Sequence, residues 1–314
     1  MAIPLPLAEF ICAEHKFRPL PPHILLLGRQ TMTFGKTGLQ YLADRFDLAM
    51  PTRIERDMYT LHARLRPEVE FVSDASFFAM LGVTGIDAID VNDSEGANIL
   101  LDLCRDIPHE HRGRYDFILN GSVLDNVWDP PAAMRNIGRL LSETGRVVHI
   151  ETETSSPFSY TALSPSWYFD YYVINGWQDC RLYVAAVEGF ETLVTKPWAV
   201  MGFNPRAQAR ANAFSPPIGD RLGISVVVAE KNSKSTIEKA AVQSHYRSDE
   251  QWDEFMALAQ PMLELQRPLH LGARGTGRPI PTHQNVWVSC GWWGEDSSSS
   301  WLRNVSMRMR HLDL

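Results

Sequence analysis

The sequence predicts an α/β protein built on a doubly wound, mostly parallel sheet. Three observations carry this. Short runs that are apolar throughout, rather than alternating, recur between residues 24 and 229, as strands covered on both faces require. Helical patterns separate several of them. One strand–helix–strand unit, within residues 114–151, is punctuated at each end of its helix. A chain of 314 residues, 45% hydrophobic and 21% charged, is long enough and ordinary enough to bury such a core.

The expected strands are Ile24–Leu27, Ala88–Val91, Phe117–Leu119, Val147–Ile150, Leu182–Ala186 and Ile224–Ala229. Ser73 can cap a helix running through Phe77, Phe78 and Met80 and stopping at Gly82. In "WDPPAAMRNIGRLLSETG" Asp129 is placed to cap, and Pro130 fits the first turn, where its missing N–H costs nothing. Met134, Ile137 and Leu141 form one apolar stripe, and Gly145 stands where a C′ glycine ends a helix.

Residues 29–87 are more than a crossover needs. "YLADRF" and "RDMYTLHARL" look helical, so residues 35–70 are expected to form a helical insertion or lid. After Lys231 the polar "NSKSTIEK" leads into an amphipathic helix, "DEQWDEFMALAQPMLEL", then a Gly/Pro loop. "NVWVSC" and "LRNVSMRM" read as two closing strands. The expected division is residues 1–232 as the main domain and residues 233–314 as an α+β extension packed on it, with a homodimer contact as its secondary role.

The stretch "HILLLGRQTMTFG" poses the functional question. A buried strand ends at Gly28, as before a nucleotide-binding turn, but Arg29 and Gln30 follow where further glycines would stand. The second strand ends in Asp90, placed to accept the two hydroxyls of a ribose. Asp102, with Leu103 beside it, ends the next apolar run, where a carboxylate can receive an adenine amino group. Alone, each aspartate reads as a turn residue. In this strand order the pair reads as nucleoside contacts.

Residues 114–151 resemble the second half of class I S-adenosylmethionine-dependent methyltransferases. That family runs "FDxIxxxxVLEHV" followed by "DPxxxLxxIxRxLKPGGRxxI". The matching residues here are Tyr115–Ile118, Val123–Val127, Asp129–Pro130 and Leu140–Arg146, and the resemblance covers roughly residues 22–232. It implies a Rossmann-like sheet closed by an antiparallel pair, S-adenosylmethionine as cofactor, and methyl transfer to a small or medium-sized acceptor. Gly28, Arg29, Gln30, Asp90, Asp102, Leu103 and Gly121 would then meet the cofactor. Asp125 would be the candidate base, and Asn126, Tyr160, Trp167 and Tyr168 would border the acceptor.

The chain departs from the family in three places. Its GxGxG loop is reduced to Gly28, its Glu-His is Asp125-Asn126, and its "KPGG" turn is Ser142–Gly145. S-adenosylmethionine has no phosphate to cradle, so Arg29 could pair bidentately with the methionine carboxylate and Gln30 could assist. The rival is a non-catalytic relative that keeps the sheet as a binding or scaffolding module. An oxidoreductase is disfavoured by the missing GxGxxG.

His149, inside a strand, reads as a hydrogen-bonded core histidine. Cys12, Cys104, Cys180 and Cys290 lie far apart with no metal spacing, so reduced thiols and no metal are expected. A net charge of −7 argues against a general nucleic-acid binder. The start, broken by Pro4, Pro6, Glu9 and Glu14, does not read as a signal peptide, and no run reaches membrane-spanning length. A cytoplasmic protein without membrane partners is expected.

Overall fold

A computed structural model describes residues 2–152, 159–187, 198–203, 222–265, 267–268, 270 and 287–293. In chain order the strands are β1 (Ala2–Ile3), β2 (His23–Leu27), β3 (Thr31–Met32), β4 (Gly85–Asp90), β5 (Ile99–Leu100), β6 (Tyr115–Gly121), β7 (Leu141–Thr152), β8 (Asp179–Val187), β9 (Trp198–Phe203), β10 (Leu222–Glu230) and β11 (Trp287–Trp293). The helices are α1 (Leu5–Phe17), α2 (Lys36–Phe46), α3 (Leu61–Leu65), α4 (Asp74–Met80), α5 (Pro130–Leu140), α6 (Pro165–Ile174) and α7 (Asp249–Glu264).

The main sheet runs β11-β9-β8-β10-β7-β6-β2-β4-β5. From β5 to β7 the pairings are parallel; β10 then inserts antiparallel between β7 and β8. This is the doubly wound sheet closed by an antiparallel pair that the resemblance implies. The strands β9 and β11 extend it antiparallel beyond β8. The side-chain period of two divides the core between the faces. Ile24 and Leu26 of β2 join α1, α2 and α4 on one side, while Leu25 and Leu27 join α5 and α6 on the other.

Local chemistry explains the helix ends. Ser73 accepts from the Ser76 N–H, and Asp129 accepts from the Ala132 N–H ahead of Pro130. Gly145 does not end α5. The helix stops at Leu140 and the chain passes directly into β7, where a Cβ on Gly145 would lie 2.9 Å from the Tyr115 carbonyl oxygen. The glycine is needed for strand approach, not for capping.

In the expected insertion, "YLADRF" lies within α2, whose Leu39 and Leu42 are buried in the core. Only Leu61–Leu65 of the second helical pattern is helical. Asp57 explains why: its carboxylate takes the N–H groups of Tyr59 and Thr60 and the Thr60 hydroxyl, offering this backbone a turn in place of a helix. The helix α7 carries the capping box Ser248/Gln251 and buries Phe255, Ala259 and Met262 in the cluster that holds α5 and α6. Of its expected apolar face, Trp252, Met256 and Leu258 are only partly buried. The strand β11 pairs with β9, and "LRNVSMRM" lies outside the described residues.

The first helix was not anticipated from its Pro- and Glu-broken sequence. Most of its residues are buried, and it carries Glu14 into the protein. The Glu14 carboxylate receives Arg146 Nη1 at 2.7 Å, Arg181 Nη1 and Nη2 at 2.9 and 2.8 Å, and His270 Nε2 at 2.9 Å. Arg181 also pairs with Asp179 at 2.8 Å and reaches Glu230 at 3.4 Å. Burial alone would push the Glu14 carboxyl up, but hydrogen bonds from His270 and Arg181 and the nearby arginine charges hold it well below the usual range. One buried carboxylate thus ties α1 to β7 and β8, and through Arg181 to the end of β10.

Replacing Glu14 with Gln leaves two buried guanidiniums undercompensated and is expected to cost about 3–5 kcal/mol in denaturant unfolding. Because the folded value is depressed, the wild-type contribution is complete above the ordinary value of 4.5 and drains away as pH falls below it. The Gln variant should lack that part of the acid sensitivity. Equal stability of the two chains at pH 7 would show that Glu14 is not the link.

Candidate functional site

The carboxyl ends of β2, β4, β5, β6 and β7 lie side by side, which is where doubly wound sheets hold ligands. At the first of them Gly28 has φ +68°, a left-handed conformation that favours glycine, and its N–H bonds the Ile89 carbonyl at 2.8 Å. A Cβ there would lie 3.8 Å from Asp90 Oδ2. The Asp90 carboxylate therefore stands over the bare Gly28 backbone, with its other oxygen taking the Val91 N–H.

The next two residues differ from expectation. Arg29 does make a bidentate carboxylate pair, but with Asp74 of its own chain. Nε meets Asp74 Oδ2 at 2.8 Å and Nη2 meets Oδ1. Asp74 also takes the backbone N–H groups of Gln30 and Ala75, so both its oxygens are saturated. Gln30 is fully buried and turned under the loop, donating to the carbonyls of Leu27 and Gly28. Its Oε1 meets no donor and lies against the α-carbon of Gly121, where any side chain would collide with it. Gly121 thus makes room for Gln30. The Arg29 and Gln30 side chains are engaged within the loop itself.

Asp102 follows β5 and is exposed. It takes the Cys104 N–H at 2.9 Å and pairs with Arg105 at 3.2 Å, while Leu103 is buried beneath it. The inserted segment reaches this edge too: the Leu61 N–H bonds Glu95 Oε1 at 2.6 Å, and Tyr59 packs near Gly96.

At the ends of β6 and β7 lies a buried polar chain that sequence reasoning saw only in part. Asp125 is buried, receiving Ser122 Oγ at 2.7 Å, Thr152 Oγ1 at 3.0 Å and Asn126 Nδ2 at 2.8 Å. It has no open face, so it does not stand in the site as a free base. Glu151 lies against it, wholly buried. Burial, then the Asp125 charge, pushes the Glu151 carboxyl well above its ordinary range. Its Oε1 accepts from Asn120 Nδ2 at 2.6 Å and from the Leu124 N–H. Its Oε2 meets no N–H or O–H donor.

Asn120 Nδ2 also donates to His149 Nδ1 at 2.9 Å, which leaves His149 Nε2–H for the Tyr172 hydroxyl at 2.6 Å, and Tyr172 donates on to Met134 Sδ. Burial holds His149 down at about 3, so the imidazole is neutral. The buried histidine is the satisfied core residue its strand position implied. A strand ending in His149 and Glu151 beside Asn120 was the available signal for the network. The paired acid needs the register of β6 against β7 to be seen. Above it, Ser122 sits at φ +57°, uncommon for a residue with a side chain.

The aromatic candidates divide by exposure. Tyr168 is fully buried, edge-on to Trp167 and packed against His149. Tyr160 is 76% exposed and meets Trp128, 88% exposed, edge to face at 6.4 Å. Trp167 lines a groove of about 390 Å³ with Arg135, Asp170, Tyr171 and Glu238. Asn126 is exposed and holds the Ser122 carbonyl and Asp125. No group of three metal-ligating side chains occurs among the described residues, where Cys12, Cys104 and Cys180 are free thiols. No helix among them is long and apolar enough to cross a membrane.

No protein-family model and no curated protein matches this sequence. Solved structures with a similar fold include a Thermotoga maritima protein described as an S-adenosylmethionine-dependent methyltransferase, possibly a histamine N-methyltransferase. It is 11% identical over 72% of this chain and 89% of its own, with a TM-score of 0.38. An Archaeoglobus fulgidus S-adenosylmethionine-dependent methyltransferase is 9% identical over 71% and 94%, TM-score 0.34. The [4+2]-cyclase SpnF is 12% identical over 72% and 80%, TM-score 0.37. At these TM-scores, all below 0.5, the likenesses establish neither a family nor an activity.

The paired acid has a measurable consequence. A carboxyl whose folded value is raised binds more protons in the folded state, so stability falls as pH rises above 4.5 towards that value. The limit for one proton is about 1.4 kcal/mol per pH unit. Glu151→Gln keeps a neutral donor beside Asp125 and should remove that slope in urea unfolding between pH 5 and 8. A slope identical to wild type would mean that Glu151 is not protonated in the fold.

Proposed function

We propose that this chain binds S-adenosylmethionine at the carboxyl edge of β2, β4 and β5 and transfers its methyl group to a small or medium-sized acceptor. The observation that carries the proposal is Asp90, its carboxylate standing over Gly28 at the end of the second parallel strand. The nucleoside half of the cofactor fits these residues. Gly28 offers backbone without a side chain, Asp90 keeps Oδ2 towards it for ribose hydroxyls, and Asp102 and Leu103 come just after β5 for the adenine. The amino-acid half finds less, because the Arg29 and Gln30 side chains are committed within the chain.

When bound, the cofactor supplies a methyl group already activated on a sulfonium. What remains for the protein is alignment and exclusion of water. Asp125 contributes by fixing the hydroxyls of Ser122 and Thr152 at the ends of β6 and β7, as a positioning residue. Asn126, Tyr160 and Trp167 keep exposed surface for an acceptor, and Tyr168 backs them from the core. A non-catalytic binding role is the second reading, favoured by the closed Arg29–Asp74 pair.

Calorimetric titration with S-adenosylhomocysteine tests the first reading. Binding is expected, and Asp90→Ala should weaken it by roughly 1.5–3 kcal/mol, the cost of losing hydrogen bonds to a charged group. Thermal stability should change little, since Asp90 is partly exposed and holds only its neighbour's N–H. Binding that is indifferent to Asp90 would place the ligand elsewhere.

A further inference from the structure

Arg29 is the side-chain cation that the first loop offers to a ligand's carboxylate, and in the fold a carboxylate already holds it. Asp74 grips one edge of the guanidinium, Nε and Nη2, and neutralises its charge while taking two backbone N–H groups, and it is almost wholly buried. Asp57, also buried, adds a second negative charge to the surroundings of Arg29. Its own oxygens are taken by Tyr59 and Thr60. Opening the pair would strand Asp74 as an uncompensated buried charge, and such breakage is strongly unfavourable.

We infer that Asp74 is a specificity-determining residue: it occupies Arg29 from within, so the site recognises the adenosine part of its ligand and draws no affinity from a tail carboxylate. This rests on the nucleoside reading of the Gly28–Asp90 edge given above. Its consequence is a ligand class. Adenine nucleosides with a short, uncharged 5′ substituent bind about as well as those carrying the full amino-acid tail. A freed Arg29 would reverse that order, because a bidentate guanidinium–carboxylate contact is among the stronger hydrogen-bonded pairs.

The test compares 5′-methylthioadenosine with S-adenosylhomocysteine by calorimetry on the full chain. Wild type should bind the two within about threefold of each other. Asp74→Asn keeps acceptors for the backbone N–H groups but releases the guanidinium. It should tighten S-adenosylhomocysteine by about tenfold while leaving 5′-methylthioadenosine unchanged. A second variant, Arg29→Met with Asp74→Leu, removes both charges together and should leave the wild-type ratio as it is. Tighter wild-type binding of the tailed ligand beyond that range overturns the inference, as does an unchanged ratio in Asp74→Asn or selective loss of the tailed ligand in the double variant. These outcomes leave the nucleoside site standing. If neither compound binds wild type, the proposed function itself fails and the inference goes with it.

Discussion

The architecture depends on Glu14, one carboxylate set where no water can serve it. It reaches from α1 to Arg146 on β7 and Arg181 on β8, and Arg181 extends the contact to Glu230 at the end of β10. Arg18 and Arg267 close on Glu230 at 3.0 and 3.1 Å. Such a cluster is costly to desolvate and more costly to leave incomplete. The junction between the parallel strands and the antiparallel pair is therefore pinned at one end of the sheet, the end away from the candidate site. Hydrophobic burial on both faces supplies the bulk of the packing, but it does not by itself fix where α1 must lie.

The opposite edge is arranged on a related principle, with acids answered from inside the chain. Asp57 holds a turn, Asp74 holds Arg29, and Asp125 holds Ser122, Thr152 and Asn126. Asp90 and Asp102 instead keep much of their capacity outward. On the proposed reading, recognition of an adenosyl ligand at this edge falls to the nucleoside contacts. The left-handed Ser122 sits where β6 ends, held by the Asp125 hydrogen bond and by its own N–H to Ile150.

What the sequence disclosed follows the range of the forces involved. The six strands expected between residues 24 and 229 all exist, because each is a local apolar run. The cap at Asp129 and the proline after it marked α5 because both act within one turn. The second insertion helix shrank to Leu61–Leu65 because Asp57 competes for the backbone. Gly145 does not cap α5 because its constraint is the Tyr115 carbonyl on the neighbouring strand. Likewise the partner of Arg29 lies 45 residues away, and the pairing of Glu151 with Asp125 needs two strands in register. The first helix escaped notice because its buried glutamates look like surface residues until the arginines that meet them are in place. Residue types were legible; which charge answers which was not.

The central claim is that this edge holds an adenosyl ligand by its nucleoside half while the first loop keeps its internal pair. A crystal structure grown with S-adenosylhomocysteine tests this most directly. The account predicts ribose hydroxyls within hydrogen-bonding distance of Asp90, the adenine beside Asp102 and Leu103, and Arg29 still paired with Asp74. Ligand density in the Trp167 groove, or Arg29 turned from Asp74 onto the ligand carboxylate, would contradict it.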